Sequence, residues 1–224
     1  MASTSDQLFD AIDAGDVGRV AAILDADPTA ATARDANGVS ALMRALYRFD
    51  MALVDAVKAH VPDLDVFEAA AFGDLDGLTD VLDGDPAAVT SYSGDGFTPL
   101  HFAAFFGRFE AVQLLIARGA EVDAFGRSWM TGTAMHSAVS RSHADVVRIL
   151  LDAGANPNVR QSAGWTPLHS AAANGDRASV ELLLDAGADP AAVNDEGRSV
   201  MDLAEESDDP DVREAVATAL QTDP

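Results

Sequence analysis

Cysteine is absent from the 224 residues. No disulfide framework and no thiolate metal site can form, and the absence agrees with a reducing compartment. Lysine is almost absent as well, with Lys58 the only one. Aromatic residues make up 6% of the chain against 48% for all hydrophobic types, so the apolar content is mostly Ala, Leu and Val, which suits closely packed helices. No apolar run approaches the roughly 18 residues that a spanning helix needs. The opening stretch Met1-Ala2-Ser3-Thr4-Ser5-Asp6 has neither a basic region nor an apolar signal core. These absences lead us to expect a soluble, cytoplasmic protein.

Positive charge is scarce. Asp and Glu total 37 against 14 Lys and Arg, a net charge of −23. Such a field repels nucleic acid backbones and anionic lipid surfaces, so neither nucleic acid nor membrane is expected as a partner. The acidity has two readings: a general surface property of a high-salt or GC-rich source, or attraction for a basic partner. The acid is spread along the chain rather than gathered in a tail, which favours the first.

What is present is a period. The stretch Gly96-Phe97-Thr98-Pro99-Leu100-His101-Phe102-Ala103-Ala104-Phe105-Phe106-Gly107 returns with variation. Thr98 recurs as Thr133, Thr166 and Ser199, at intervals of 35, 33 and 33 residues, and His101 recurs as His136 and His169. A fixed spacing of this size indicates stacked structural units. The core of such an array grows in one dimension, so one domain can hold the whole chain. We divide it into seven units, 1–36, 37–62, 63–92, 93–127, 128–160, 161–193 and 194–224, with the first and last as caps.

Each unit reads as two helices with apolar residues three and four apart. Asp6 can cap the first helix, which Gly15 ends, and Asp27-Pro28 stops the second. Ser40 opens the second unit, 34 residues after Asp6. The third unit is short: its aligned start, Leu64, follows Ser40 by 24 residues, so about ten residues are missing, the length of a connecting hairpin. Asp63 can then cap the next helix directly. In the fourth unit the helices are expected at 98–106 and 109–118, with Val112, Leu115 and Ile116 forming the stripe of the second. The connection before Thr133 is two residues longer than that of the sixth unit. In the seventh unit Asp202 stands where His stood, and Glu205, Glu206, Asp208 and Asp209 follow, as a polar terminal cap requires.

The recurring residues have structural reasons to recur. A Thr hydroxyl accepts from an unpaired N–H at a helix start. Pro99 and Pro167 occupy first turns, where a missing N–H costs nothing. Small Ala pairs let helices approach, and the Leu pairs 114–115, 150–151 and 183–184 fill the space between layers. His101, His136 and His169 can bond the Thr side chain and the backbone of the next unit. Phe102 and Phe109 fall at core positions.

Sequence signals for chemistry are lacking. No HExxH, GxGxxG, P-loop or GxSxG string is present. Asp25 with Asp27, and Asp83 with Asp85, precede Pro28 and Pro86; a calcium loop needs more ligands at fixed spacing, so these read as turn residues. His143 follows a helix-ending position and His60 reads as a helix-end residue. No catalytic residue, cofactor or metal is expected.

The chain resembles the ankyrin repeat proteins, whose signature Asp-x-x-Gly-x-Thr-Pro-Leu-His-x-Ala-Ala, then Gly, a Leu-Leu pair and Gly-Ala-Asp/Asn, is matched by Gly96 to Gly107 with Leu114-Leu115 and Gly119-Ala120. It is matched again by Gly164 to Gly175 with Leu183-Leu184 and Gly187-Ala188-Asp189. The resemblance implies an all-α solenoid of helix-turn-helix units joined by hairpin loops. It also implies a non-catalytic, monomeric adaptor that binds a protein partner on its concave face and hairpin tips. The family's contact positions correspond here to Phe97, Phe105, Phe106 and Phe125, to Trp129 and Met130 on the following tip, and to Arg141 and Trp165. Related positions hold Tyr47, Arg48 and Phe72 earlier, and Arg160 and Asn174 later. Aromatic residues and Arg dominate binding hot spots. The competing expectation is that some of these pack locally beneath the 125–132 connection. Two other functions stand beside the adaptor: a small-molecule-binding or regulatory module, and an acidic, salt-adapted scaffold without one dedicated partner.

Overall fold

Helix periodicity and caps give the chain fourteen α-helices in a computed structural model that describes residues 2–127, 131–207 and 209–222. They alternate in two layers. The first helices of successive pairs are α1 (Thr4–Ala14), α3 (Ala41–Tyr47), α5 (Val66–Phe72), α7 (Pro99–Phe105), α9 (Ala134–Val139), α11 (Pro167–Ala173) and α13 (Val200–Glu206). The second helices are α2 (Val17–Ala26), α4 (Met51–Lys58), α6 (Leu75–Gly84), α8 (Phe109–Ala117), α10 (Ala144–Asp152), α12 (Arg177–Asp185) and α14 (Pro210–Thr222). Each first helix packs on its own second helix, and most helices also pack on their counterparts in the adjacent pairs. Among the described residues β-structure is confined to two isolated bridges, Arg34 with Ser40 and Val193 with Ser199. This is an all-α solenoid, as the sequence implied.

The first-helix layer starts at a repeated device. The N-cap oxygen accepts from the backbone, and the third helical residue reaches back to the N-cap N–H. The pairs are Ser3 with Asp6, Asp65 with Glu68, Thr98 with His101, Thr133 with His136, Thr166 with His169 and Ser199 with Asp202. Two expected caps shift. Ser3, not Asp6, caps α1, because Asp6 serves as the return partner. Asp65, not Asp63, caps α5, accepting from the Phe67 and Glu68 N–H groups at 2.8 Å. Asp27 and Asp85 cap short 3-10 turns at Pro28–Thr32 and Pro86–Thr90, in keeping with turn roles for these carboxylates.

Ala and Leu fill the interior. Ala69, Ala70, Ala71, Ala103, Ala104, Ala138, Ala171 and Ala172 are fully buried where first helices meet, and Leu115, Leu150 and Leu183 are fully buried between the layers. Phe109 departs from expectation. It stands at the first position of α8 and is 44% exposed, because the helix buries Ala111, Val112 and Leu115 instead.

The hairpin loops also repeat. In 35–39, 93–97, 161–165 and 194–198 the first N–H donates to the fifth carbonyl, at 2.8–3.0 Å. The fourth residue is Gly38, Gly96, Gly164 or Gly197, each with φ between 73° and 87°, where a side chain would be strained. The longer connection closes as Gly126 N–H to the Gly132 carbonyl.

The third pair has no hairpin, and this reshapes its surroundings. The tip of the second pair's loop meets that of the fourth: a Cβ added to Gly94 would lie 1.9 Å from the Asn37 carbonyl oxygen. Tyr47 of α3 donates to Asp95 in the same distant loop, and Asp95 also accepts from Ser93 at 2.5 Å. Meanwhile α3 and α5, and α4 and α6, make fewer close backbone approaches than other neighbours. Side chains tie that junction instead: Ser40 donates to Glu68 at 2.5 Å and Arg34 pairs with Asp65 at 2.6 Å. The second and fourth pairs therefore touch each other past the third.

Candidate functional site

That pinch assembles an aromatic cluster from residues far apart in sequence. Six of the seven first helices are followed by a residue of left-handed conformation: Gly15, Gly73, Gly107 and Gly175, but also Phe49 (φ 55°) and Ser142 (φ 56°). Phe49 leaves the end of α3 and reaches beyond the third pair. Its ring lies 6.2 Å from those of both Phe105 and Phe106, which are themselves 5.0 Å apart and edge to face. Arg141, from the end of α9, places its guanidinium 4.6 Å from the Phe49 ring centroid and 5.5 Å from that of Phe105. Phe49 is 52% exposed, Arg141 is exposed, and Phe105 and Phe106 are half-buried.

Neighbouring side chains hold this floor in place. Arg108 lies against Gly73, where a Cβ would come within 3.1 Å of it, and donates from Nε to the Ala71 carbonyl at 3.0 Å. The His143 ring covers Gly107, and its Nε2 lies 3.1 Å from the Phe105 carbonyl. Burial lowers the His143 pKa below the ordinary imidazole value, Arg141 and Arg108 lower it further, and the bond to the Phe105 carbonyl opposes both. The ring therefore acts as a neutral brace. Asp50, Asp74 and Asp176 cap the second helices α4, α6 and α12, Asp176 through Oδ1 while its Oδ2 is buried without a partner.

The other expected contact residues lie elsewhere. Phe97 precedes α7 while Phe105 closes it, so about 10 Å of helix separates them. Phe97 packs on His101 and Phe102 and is half-buried. Phe125 is 45% exposed, and its carbonyl accepts from the Tyr92 hydroxyl at 3.1 Å. Trp165 is half-buried against His169, and its carbonyl lies 3.3 Å from His136 Nε2. Trp129 and Met130 lie outside the described residues. Three more polar side chains brace neighbours: Tyr47 bonds Asp95, Arg160 bonds the Val193 carbonyl and Asp195, and Asn174 bonds the Val139 carbonyl. The expected surface is thus divided between the two ends of the first helices, with Phe105, Phe106 and Arg141 together at one end. Phe49 was missed. Its signal was an aromatic at a position where other units carry glycine.

His101 and His136 brace adjacent units as the sequence reading expected, and His169 keeps only the bond within its own unit. His101 bonds Thr98 at 2.8 Å through Nδ1 and the Gly132 carbonyl at 3.0 Å through Nε2. His136 bonds Thr133 and the Trp165 carbonyl. His169 keeps the Thr166 bond, but its Nε2 is buried without a partner of hydrogen-bonding geometry. Burial lowers all three pKa values, that of His136 to about 4. Half-buried Tyr47 is pushed well above the usual phenol value, first by desolvation and then by its bond to Asp95. Among the described residues no group of His, Asp or Glu is arranged to hold a metal ion, and no helix is long and apolar enough to cross a membrane.

Known proteins supply the context for this architecture. The family model of ankyrin repeats matches in three overlapping copies, at residues 66–161, 131–194 and 154–221. A mouse protein named ankyrin repeat and SAM domain-containing protein 6 is 34% identical over 104 residues, which is 46% of this chain and 11% of that protein. The rice E3 ubiquitin-protein ligase XB3 is 40% identical over 98 residues, or 41% of this chain and 20% of the ligase. A Caenorhabditis elegans homolog of transient receptor potential cation channel subfamily A member 1 is 31% identical over 85 residues, or 7% of its length. The chain thus spans about a fifth or less of each of these proteins. With the family model covering well over half of the sequence, and a helical solenoid built on its motif residues, the chain belongs to the ankyrin repeat family.

Proposed function

We propose that this chain is a non-catalytic protein-interaction module, a monomer in the cytoplasm that binds a protein partner through its concave first-helix surface and hairpin tips. One seven-unit domain, divided as in the sequence analysis, forms the scaffold. The observation that carries this reading is the partly exposed cluster of Phe49, Phe105 and Phe106 with Arg141 beside them. Clustered aromatics beside an Arg are the composition of binding hot spots. Their rings are held by a stacked scaffold, so little conformational entropy is lost on association. Phe97, Phe125 and Trp165 extend the surface towards the hairpins, and the family's contact pattern adds Trp129 and Met130 from the sequence. The ligase and channel activities in the relatives' names belong to proteins far longer than the matched segment and are not part of this reading.

The test is substitution of Phe105 and Phe106 by Ser in the full chain, followed by affinity capture and thermal unfolding. The reading expects the partner to be lost while the melting temperature shifts by no more than a few degrees. A large fall in melting temperature, or full retention of the partner, refutes it.

A further inference from the structure

Arg141 is exposed in a chain that carries 37 carboxylates, yet it pairs with none among the described residues. Six other arginines, 34, 44, 118, 160, 177 and 198, do form such pairs, five of them between structural units. Asp50, Asp74 and Asp176 each accept from backbone N–H groups at the start of a second helix, Asp176 through Oδ1 while its Oδ2 is buried and unpartnered. The guanidinium lies over the Phe49 ring and near that of Phe105, and among the described residues its fork of N–H donors makes no hydrogen bond or ion pair. Phe49, meanwhile, holds a left-handed backbone that disfavours side chains, at a position where four other units have Gly. Strain of this kind persists where the surroundings enforce it, and here it places an exposed ring beside an unpaired cation.

We propose that the Phe49–Phe105–Phe106 cluster with Arg141 docks an acidic peptide segment, one that sets an apolar side chain on the phenyl rings and an adjacent Asp or Glu carboxylate on the Arg141 guanidinium. The proposal rests on the interaction-module reading and gives the partner's chemistry. Charge complementarity is local: a carboxylate bound bidentately at Arg141 meets the donors at short range, where a charge-assisted pair is strong. The net charge of −23 acts over a longer range and opposes approach. Salt screens that repulsion beyond about 8 Å at physiological ionic strength. Affinity for an acidic segment therefore stays level or rises as salt is added, whereas affinity for a basic partner falls.

A displayed random-peptide library panned against the full chain tests this. The expected outcome is enrichment of sequences with Asp or Glu next to an aromatic or aliphatic residue. An enriched peptide then loses about 10–100-fold in affinity on Arg141→Gln. It is unaffected by Arg148→Gln on α10, and its binding does not weaken with salt. Peptides that depend on Phe105 but are basic, or are indifferent to Arg141→Gln, overturn the acidic class while leaving the interaction surface in place. Peptides indifferent to both Phe105→Ser and Arg141→Gln, or no enrichment at all, overturn both readings. Unchanged thermal unfolding of Arg141→Gln excludes loss of fold as the cause.

Discussion

Replacing His136 by Gln should change how the stability of this protein depends on pH, with a sign and a size that follow from burial. His136 is 5% exposed, and burial, opposed by the Trp165 carbonyl bond, lowers its pKa from 6.5 to about 4. In the unfolded chain the imidazole binds a proton near 6.5, so between about 6.5 and 4 the unfolded state holds more protons. The stability supplied by the neutral ring is complete above the unfolded pKa and is lost as pH falls through this window. At about 1.4 kcal/mol per decade the full loss is about 3 kcal/mol, of which about 1 kcal/mol is gone by pH 5.5. Gln at the third helical position can still return a bond to the Thr133 N–H, so the variant should lose about 1 kcal/mol at pH 7.5. It should then match or exceed the parent near pH 4.5. Urea unfolding of both proteins from pH 7.5 to 4.5 gives the difference directly. Relief of charge repulsion as carboxylates protonate, and the depressed pKa values of His101 and His169, act on both proteins and cancel. A constant difference across the range would refute a buried neutral imidazole.

Other outcomes follow from particular contacts. Gly94→Ala should destabilise by about 1–3 kcal/mol, because its Cβ would meet the Asn37 carbonyl at 1.9 Å; denaturant midpoints read this directly. At position 49 the usual preference for Ala over Gly should invert: Phe49→Gly should be about 1 kcal/mol more stable than Phe49→Ala, since only Gly accepts the left-handed backbone without strain. Phe109→Ser should change stability by less than about 0.5 kcal/mol, as expected of an exposed position and not of a core one. Burial and the Asp65 charge raise the Glu68 pKa, so its contribution is greatest below the unfolded value of 4.5 and declines as pH rises through the folded one. Glu68→Gln should therefore gain stability relative to the parent between pH 4 and pH 7 in the same urea titration.

The sequence by itself determined the architecture. Cap, Pro, Leu, His and small Ala recur because each helix start and each layer contact poses the same local problem, and local problems are written in local residues. The shortening of the third unit was equally legible, as a spacing of 24 where about 33 was usual. Its consequence was not. Whether neighbouring units would spread or close over the missing hairpin depends on tip-to-tip packing of Asn37-Gly38 on Gly94, and on Tyr47 reaching Asp95, contacts between residues about 50 or more apart. Exposure at element edges was also decided in three dimensions: Phe109 shares the spacing of a core residue yet faces water, because Ala111, Val112 and Leu115 already fill the space beside α8. The candidate site was half visible. Phe105, Phe106 and Arg141 occupy positions that a repeat leaves free, so a repeat alignment isolates them. Phe49 joins them only because the tertiary structure pinches the second unit towards the fourth and holds a strained backbone there, an arrangement that no residue near Phe49 encodes on its own.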